Sequence, residues 1–266
     1  MKHMMLDCYG ANRDMLNDLK YITYILNEMA SELDVKPICP PQLVPYYYGK
    51  ITEDDGISAY ILLEGGHITI HTFPFRECYF VDIFSPIKFD EQKLTSLLLN
   101  RLAFDLNISK ISVRNRTVDS NEVFEYDSSK DFGPHVLIKT QCDKLITMEE
   151  VFDFLERIVP QIDMTPITRA CVLKNKVNKP KYLSGIVLIA QSHISLHFNY
   201  QTKEVFFDIF SCASFDYSKL GELLKDFGTI TSNEMVARGS KHWSLVKRDP
   251  FNSRKKASKA WIKQTK

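Results

Sequence analysis

Ser192 opens the run Ser192-His193-Ile194-Ser195-Leu196-His197, with Ser184 eight positions before it and Cys212 twenty positions after it. Hydroxyl, imidazole and thiol groups are the ones that attack carbonyls and carry protons near neutral pH. Taken singly, each has a plainer role. A histidine in a strand is usually a hydrogen-bonded structural residue, and a buried cysteine a small core side chain. Strict strand alternation places His193, Ser195 and His197 on one face, and Ile194, Leu196 and Phe198 on the other. Ser192 would then face away from His197 unless the chain bends at Gln191-Ser192.

The elements that must hold these groups occur twice. Gly66-His67-Ile68-Thr69-Ile70-His71 matches the Ser192 run at a shift of 126 (192 minus 66), and DIFSPIKFD from Asp82 falls on DIFSCASFD from Asp208 at the same shift. Ser58 falls on Ser184 in the same register. One ungapped offset joining three separated blocks marks a duplication and fusion.

Each copy opens with a short apolar strand, His3 to Cys8 and His135 to Thr140, followed by a helix. The first helix is expected over Asn12 to Leu33, where Leu16, Leu19, Ile22, Ile25 and Leu26 form one stripe; the second is expected near Met148 to Ile158. Antiparallel strands follow over Ser58 to Leu63, His67 to Thr72 and Cys78 to Phe84, and again over Gly185 to Ala190, His193 to Phe198 and Glu204 to Phe210. A closing helix is expected after Asp90 and after Asp216. The fold class is α+β: two duplicated halves, residues 1–128 and 129–266, whose antiparallel sheets pack as a four-layer α/β/β/α sandwich. The boundary is placed in the polar stretch Glu125 to Pro134.

With 34 basic and 33 acidic residues in 266, the formal charge of +1 gives no field that would gather nucleic acid or a membrane surface. A small or zwitterionic ligand fits better. The six cysteines, Cys8, Cys39, Cys78, Cys142, Cys171 and Cys212, include no C-x-x-C pair, and no apolar run approaches the about eighteen residues of a membrane span. These features lead us to expect a soluble, cytoplasmic protein with reduced thiols. The basic tail from Lys247 is read as a solvated terminus.

The QSHISLHF segment, the cysteine of DIFSC and the opening HMMLDCYG together resemble the prokaryotic, self-processing S-adenosylmethionine decarboxylases. That family carries an ES-H-x-S-x-H-T processing segment, a downstream D-x-F-x-C and an H-L-x-x-D-x-Y-G start. The resemblance implies that Ser192 becomes a covalent pyruvoyl group after cleavage at Gln191-Ser192, with Gln191 standing where the family commonly has Glu. Ser184 and His197 match processing residues, and Cys212 matches the catalytic acid. In these roles Ser192 Oγ attacks the Gln191 carbonyl, Ser184 supports the oxyanion, and His197 removes the α-proton so that elimination breaks the ester. The resulting ketone would act as an electron sink for loss of carbon dioxide, and Cys212 would return a proton to the α-carbon. The product would supply spermidine synthesis, and no metal is expected.

In the first copy Gly66 replaces the serine and Pro86 the cysteine, so this half is expected neither to cleave nor to decarboxylate. His71 and Ser58 are read as structural there. Homodimeric members of the family bind substrate near the protomer interface, so the N-terminal half is expected to act as a built-in partner, and a further dimer is possible. The family's adenine-stacking aromatic has no counterpart before Ser184, where Asn178 and Lys179 stand; Tyr46, Tyr47, Tyr48 or Phe73 could supply a ring face. Glu64, Asp82 and Asp208 could face a cation, or be solvated or paired. Two other readings are a pyruvoyl decarboxylase acting on ornithine or arginine, and an unprocessed pseudoenzyme that regulates a true decarboxylase.

Overall fold

A computed structural model describes residues 1–240 except 48, 50, 123–125, 177, 178 and 191. Gln191, Tyr48, Asn178 and the basic tail from Lys247 therefore lie outside the described residues.

The chain order is β1 (Lys2–Tyr9), α1 (Arg13–Leu16), α2 (Leu19–Glu32), β2 (Gln42–Tyr46), β3 (Gly56–Leu63), β4 (Gly66–Phe73), β5 (Cys78–Ser85), α3 (Glu91–Arg101) and β6 (Lys110–Asn115). The second half follows as β7 (Gly133–Gln141), α4 (Met148–Gln161), β8 (Cys171–Lys174), β9 (Tyr182–Ile189), β10 (Ser192–Asn199), β11 (Glu204–Phe210), α5 (Leu220–Leu223) and β12 (Thr229–Arg238). The two sheets have orders β2-β3-β4-β5-β1-β6 and β12-β7-β11-β10-β9-β8, which are one topology read in opposite directions. Every pairing is antiparallel.

The sequence dictates the layers through alternation. In β4, Ile68 and Ile70 pack with Ile22, Ile25 and Leu26 of α2 and Leu94 and Leu98 of α3, while His67 and His71 point to the sister sheet. In β10, Ile194, Leu196 and Phe198 meet Val151, Phe154 and Leu155 of α4. The helices are started by side chains that satisfy free backbone N–H groups: Asp18 caps α2, Asp90 caps α3, and Thr147 with Glu150 forms a reciprocal box on α4. Helix, sheet, sheet, helix is thus the order of the layers.

Three expectations need correction. The single helix over Asn12 to Leu33 is broken, because Asp18 caps a new start after the short α1. The closing helix after Asp216 is only the one turn of α5 between two 3₁₀ turns; Gly221 weakens it and Gly228, at φ 102°, ends the segment. The outer strands β2, β6, β8 and β12 were not expected, since their mixed, half-exposed sequences lack a clear period. The stretch 116–132 holds neither helix nor strand among its described residues, and β7 starts within the polar segment taken as the boundary.

Between the sheets the filling is apolar at two ends and polar in the middle. Tyr9, Phe73, Cys78, Phe80, Phe132 and Phe210 form one cluster, and Tyr60, Leu62, Ile186 and Leu188 another. His3, His67, His71, His135, His193, His197, Asp82, Asp208, Arg116 and Arg238 are all buried in the same layer. Burying so many polar groups is tolerable only where they satisfy one another.

Candidate active site

Ser192 is the first residue of β10, paired with Ile189 across the β9–β10 turn. Its Oγ accepts the Cys212 backbone N–H at 2.9 Å, just beyond the end of β11. The Cys212 thiol donates to the Ala190 carbonyl at 3.5 Å, so the sulfur lies beside a residue two positions before Ser192. Burial pushes the thiol pKa up to about 11; Asp54 adds to this, while the contact with Ser192 and the charge of Arg76 oppose it. At neutral pH Cys212 is therefore a protonated acid. Asp54 and Arg76, an ion pair at 2.6 Å, belong to the first half, and Cys212 packs against the cluster containing Phe73 and Phe80 of that half.

The two Ser–His pairs are placed crosswise. Ser58 Oγ and His71 Nδ1 of the first half are 2.9 Å apart, and His71 Nε2 is 2.9 Å from Nδ1 of His193, the residue next to Ser192. The His71 ring also lies 5.8 Å from Phe210, two residues before Cys212. Ser184 Oγ and His197 Nδ1 of the second half are likewise 2.9 Å apart, but His197 Nε2 meets His67 Nδ1 at 2.9 Å and its ring lies 5.3 Å from Phe84. Ser184 Oγ donates to the Leu63 carbonyl at 3.4 Å, and Leu63 pairs with Gly66. The second half's pair thus faces Gly66, and the first half's pair faces the Ser192 end of β10.

The structure therefore does not bring His197 and Ser184 to Ser192, as the resemblance implied. Five residues of extended strand separate Ser192 from His197 by about 17 Å, and no bend shortens that path, because β10 is regularly paired from Ser192 to Asn199. Their assignment comes from the resemblance, whose motif describes one copy and not which copy's residues lie opposite Ser192. Conversely, His71 and Ser58, read as structural, are the pair nearest the Ser192 end. Burial, then His193, holds the His71 pKa well below the ordinary value, so its imidazole is neutral.

Gly66 is more than a missing hydroxyl. A Cβ there would lie 1.9 Å from the Phe84 carbonyl oxygen, so the first half has closed its backbone over the equivalent position. Phe73 is fully buried, with its ring set edge to face on Phe80 at 5.5 Å and Phe132 at 5.1 Å; no face is open for stacking. Tyr47 is 43% exposed and donates its hydroxyl to Asn17.

Sequence reasoning missed Arg238, which comes from the unexpected strand β12. Its guanidinium donates to Asp7 and Asp82, at 2.6 Å each, and to His135 Nδ1 at 2.9 Å. Burial would raise the Asp82 pKa, but Arg238 and His135 overcome it and keep the carboxylate charged. Arg116 donates to the Ile138 and Phe207 carbonyls, crossing from the connecting segment into the second sheet. By residue type His3, Asp82 and His135, or His67, His193 and Asp208, could hold a cation, their ligand atoms lying within 4.8 Å of one another. Each carboxylate has one oxygen engaged at 2.6 Å, Asp82 Oδ1 by Arg238 and Asp208 Oδ1 by Ser195 Oγ, while Asp82 Oδ2 makes no hydrogen bond.

A twofold α+β repeat with a serine, a cysteine and imidazoles gathered between its sheets defines a duplicated enzyme-like fold. The family model for S-adenosylmethionine decarboxylase matches it twice, over residues 2–115 and 136–236, and the chain belongs to that family. It is 33% identical over 103 residues to the S-adenosylmethionine decarboxylase proenzyme of Clostridium botulinum (strain Langeland / NCTC 10281 / Type F), covering 38% of this chain and 83% of that protein. It is 26% identical over 86 residues to the proenzyme of Moorella thermoacetica, covering 32% of this chain and 62% of that one. Among solved structures, the adenosylmethionine decarboxylase of Aquifex aeolicus matches at 20% identity and a TM-score of 0.36, over 47% of this chain and 96% of that one. Among the described residues no helix is long and apolar enough to cross a membrane.

Proposed function

We propose that this chain is a self-cleaving S-adenosylmethionine decarboxylase with one active centre, to which both halves contribute. The observation that carries the reading is the meeting of Ser192 Oγ with the Cys212 N–H at 2.9 Å, beside the thiol and below the His71 end of the facing sheet.

Processing needs a nucleophile, a base and a place for the oxyanion. Ser192 Oγ attacks the Gln191 carbonyl, converting the amide to an ester and freeing the Ser192 amine. The Ser58 hydroxyl, 2.9 Å from His71 Nδ1, is suited to hold the ring, and neutral His71 to take the α-proton of Ser192. Elimination then releases the Gln191 carboxylate, and hydrolysis with loss of ammonia leaves a pyruvoyl group on the new chain. Such a group supplies a ketone that holds a substrate amine and accepts electrons as carbon dioxide leaves. Cys212, protonated at neutral pH, is suited to deliver the proton that replaces it. The product would be an aminopropyl donor for spermidine synthesis, made in the cytoplasm by a two-chain enzyme.

Intact mass of purified wild type and Ser192→Ala tests this. Wild type should yield pieces of 191 and 75 residues (266 minus 191), the shorter blocked at its N-terminus, and Ser192→Ala should stay whole. A folded wild type that stays whole defeats the proposal. Labelled carbon dioxide should come from S-adenosylmethionine and not from ornithine or arginine.

A further inference from the structure

Each Ser–His pair continues into a second imidazole from the opposite sheet, but among the described residues only one of the resulting chains ends within ion-pair distance of a carboxylate. From Ser58 the contacts run to His71 at 2.9 Å, to His193 at 2.9 Å, and from His193 Nε2 to Asp208 Oδ2 at 3.3 Å. From Ser184 they run to His197 and then to His67; neither His67 Nε2 nor His193 Nε2 makes a hydrogen bond, and the difference is that His193 Nε2 lies within ion-pair distance of Asp208. Asp82, the repeat equivalent of Asp208, is taken by Arg238 at 2.6 Å.

The end of each chain sets the direction of its protons. A neutral imidazole carries one N–H, so fixing one nitrogen as donor makes the other an acceptor. Asp208 is already approached by two donors. Arg238 can only donate to His135 Nδ1, which leaves the His135 proton on Nε2, 3.4 Å from Asp208 Oδ2; Ser195 Oγ donates to Oδ1. His193 Nε2 lies 3.3 Å from the same carboxylate, which in a ring with one N–H favours the proton on that nitrogen. Its Nδ1 then accepts from His71 Nε2–H, and His71 Nδ1 is left with a lone pair toward Ser58. In the other chain Ser184 donates to the Leu63 carbonyl, so its oxygen accepts from His197 Nδ1–H. His197 Nε2 then accepts from His67 Nδ1–H. The two chains run in opposite directions, and only the first presents a basic Nδ1.

We infer that Asp208 and His193 are positioning residues, which hold His71 in the Nε2–H form and so make its Nδ1 the base of the processing reaction. The proton arrangement follows from the hydrogen bonds together with the closeness of His193 to Asp208; its consequence for cleavage rests on the processing reading above.

Two readouts separate these parts. In full-length Ser192→Ala labelled with ¹⁵N-histidine, the nitrogen shifts of His71 and His193 should both report Nε2–H, and those of His197 and His67 Nδ1–H. Asp208→Asn added to that chain should move His71 to Nδ1–H, because the amide can donate to His193 Nε2, and Asp208→Glu should restore Nε2–H. In the otherwise wild-type chain Asp208→Asn should slow cleavage by about 10²-fold while the protein stays folded, with recovery in Asp208→Glu. An Nδ1–H form of His71 in Ser192→Ala overturns the inference whether or not any chain cleaves. So does a folded Asp208→Asn that cleaves within about twofold of wild type. Absence of cleavage in wild type would defeat the processing reading and leave the tautomer result to stand.

Discussion

The two halves share one topology and one pair of Ser–His contacts, each at 2.9 Å, yet they face different surroundings. The pair of the first half faces the end where Ser192 and Cys212 remain; the pair of the second half faces Gly66, with the backbone closed over it. On the proposed reading, a half that has lost its nucleophile keeps the base the other half needs. Because the sheets pack face to face, the proposed centre would take its serine and cysteine from one copy and its imidazole from the other.

The largest effect that would sharpen this contrast is on turnover. Cys212→Ala should leave cleavage intact and cut decarboxylation by roughly 10²–10⁴-fold, the range for a positioned acid, as read by carbon dioxide release from the processed chain. Equal loss of both steps would mean that the thiol shapes the turn instead.

Next comes the asymmetry of the buried charges. Arg238→Ala leaves Asp7 and Asp82 without their cation and should cost about 3–5 kcal/mol in chemical denaturation. A loss below about 1 kcal/mol would show that the remaining histidines compensate.

Gly66→Ser with Pro86→Cys, which restores the missing types to the first half, should produce no second cut in intact mass. It should also destabilise the fold by about 1–3 kcal/mol through the clash with Phe84. A new fragment ending at Gly65 would show the dead centre to be open.

The smallest and broadest effect is with pH. Burial lowers the pKa of His197 to about 3 and of His135 to about 4, against about 6.5 in the unfolded chain. Between those values the unfolded chain binds more protons, so stability should fall as pH drops from about 6.5 toward 4. Asp208 acts in the same direction at lower pH: burial would raise it, but His67 and the contacts from His135 and His193 hold it below the usual carboxylate range. Urea midpoints at pH 7 and 5 read this, and a flat profile would mean the histidines are not buried neutral.

Much of this was legible in the residues. The ungapped shift of 126 placed β4 and β5 on β10 and β11, and period-two alternation set His193, Ser195 and His197 on the face that meets the sister sheet. The crossing was not legible, because repeat spacing describes each copy alone and says nothing of which end of one sheet lies over which end of the other. Arg238 escaped because β12 is an outer strand whose sequence TITSNEMVAR has no clean period and whose ion pairs reach 231 positions back to Asp7. Asp208 and His193 were visible as residue types, but only the register shows that one carboxylate is left to the histidines while its equivalent is spent on arginine.

The shared centre is tested most directly by intact mass of His71→Ala beside His197→Ala, both confirmed folded. The account predicts that His71→Ala stays a single chain while His197→Ala still divides at Gln191-Ser192. Cleavage in His71→Ala together with a whole His197→Ala would contradict it, and would return the processing base to the half that carries the serine.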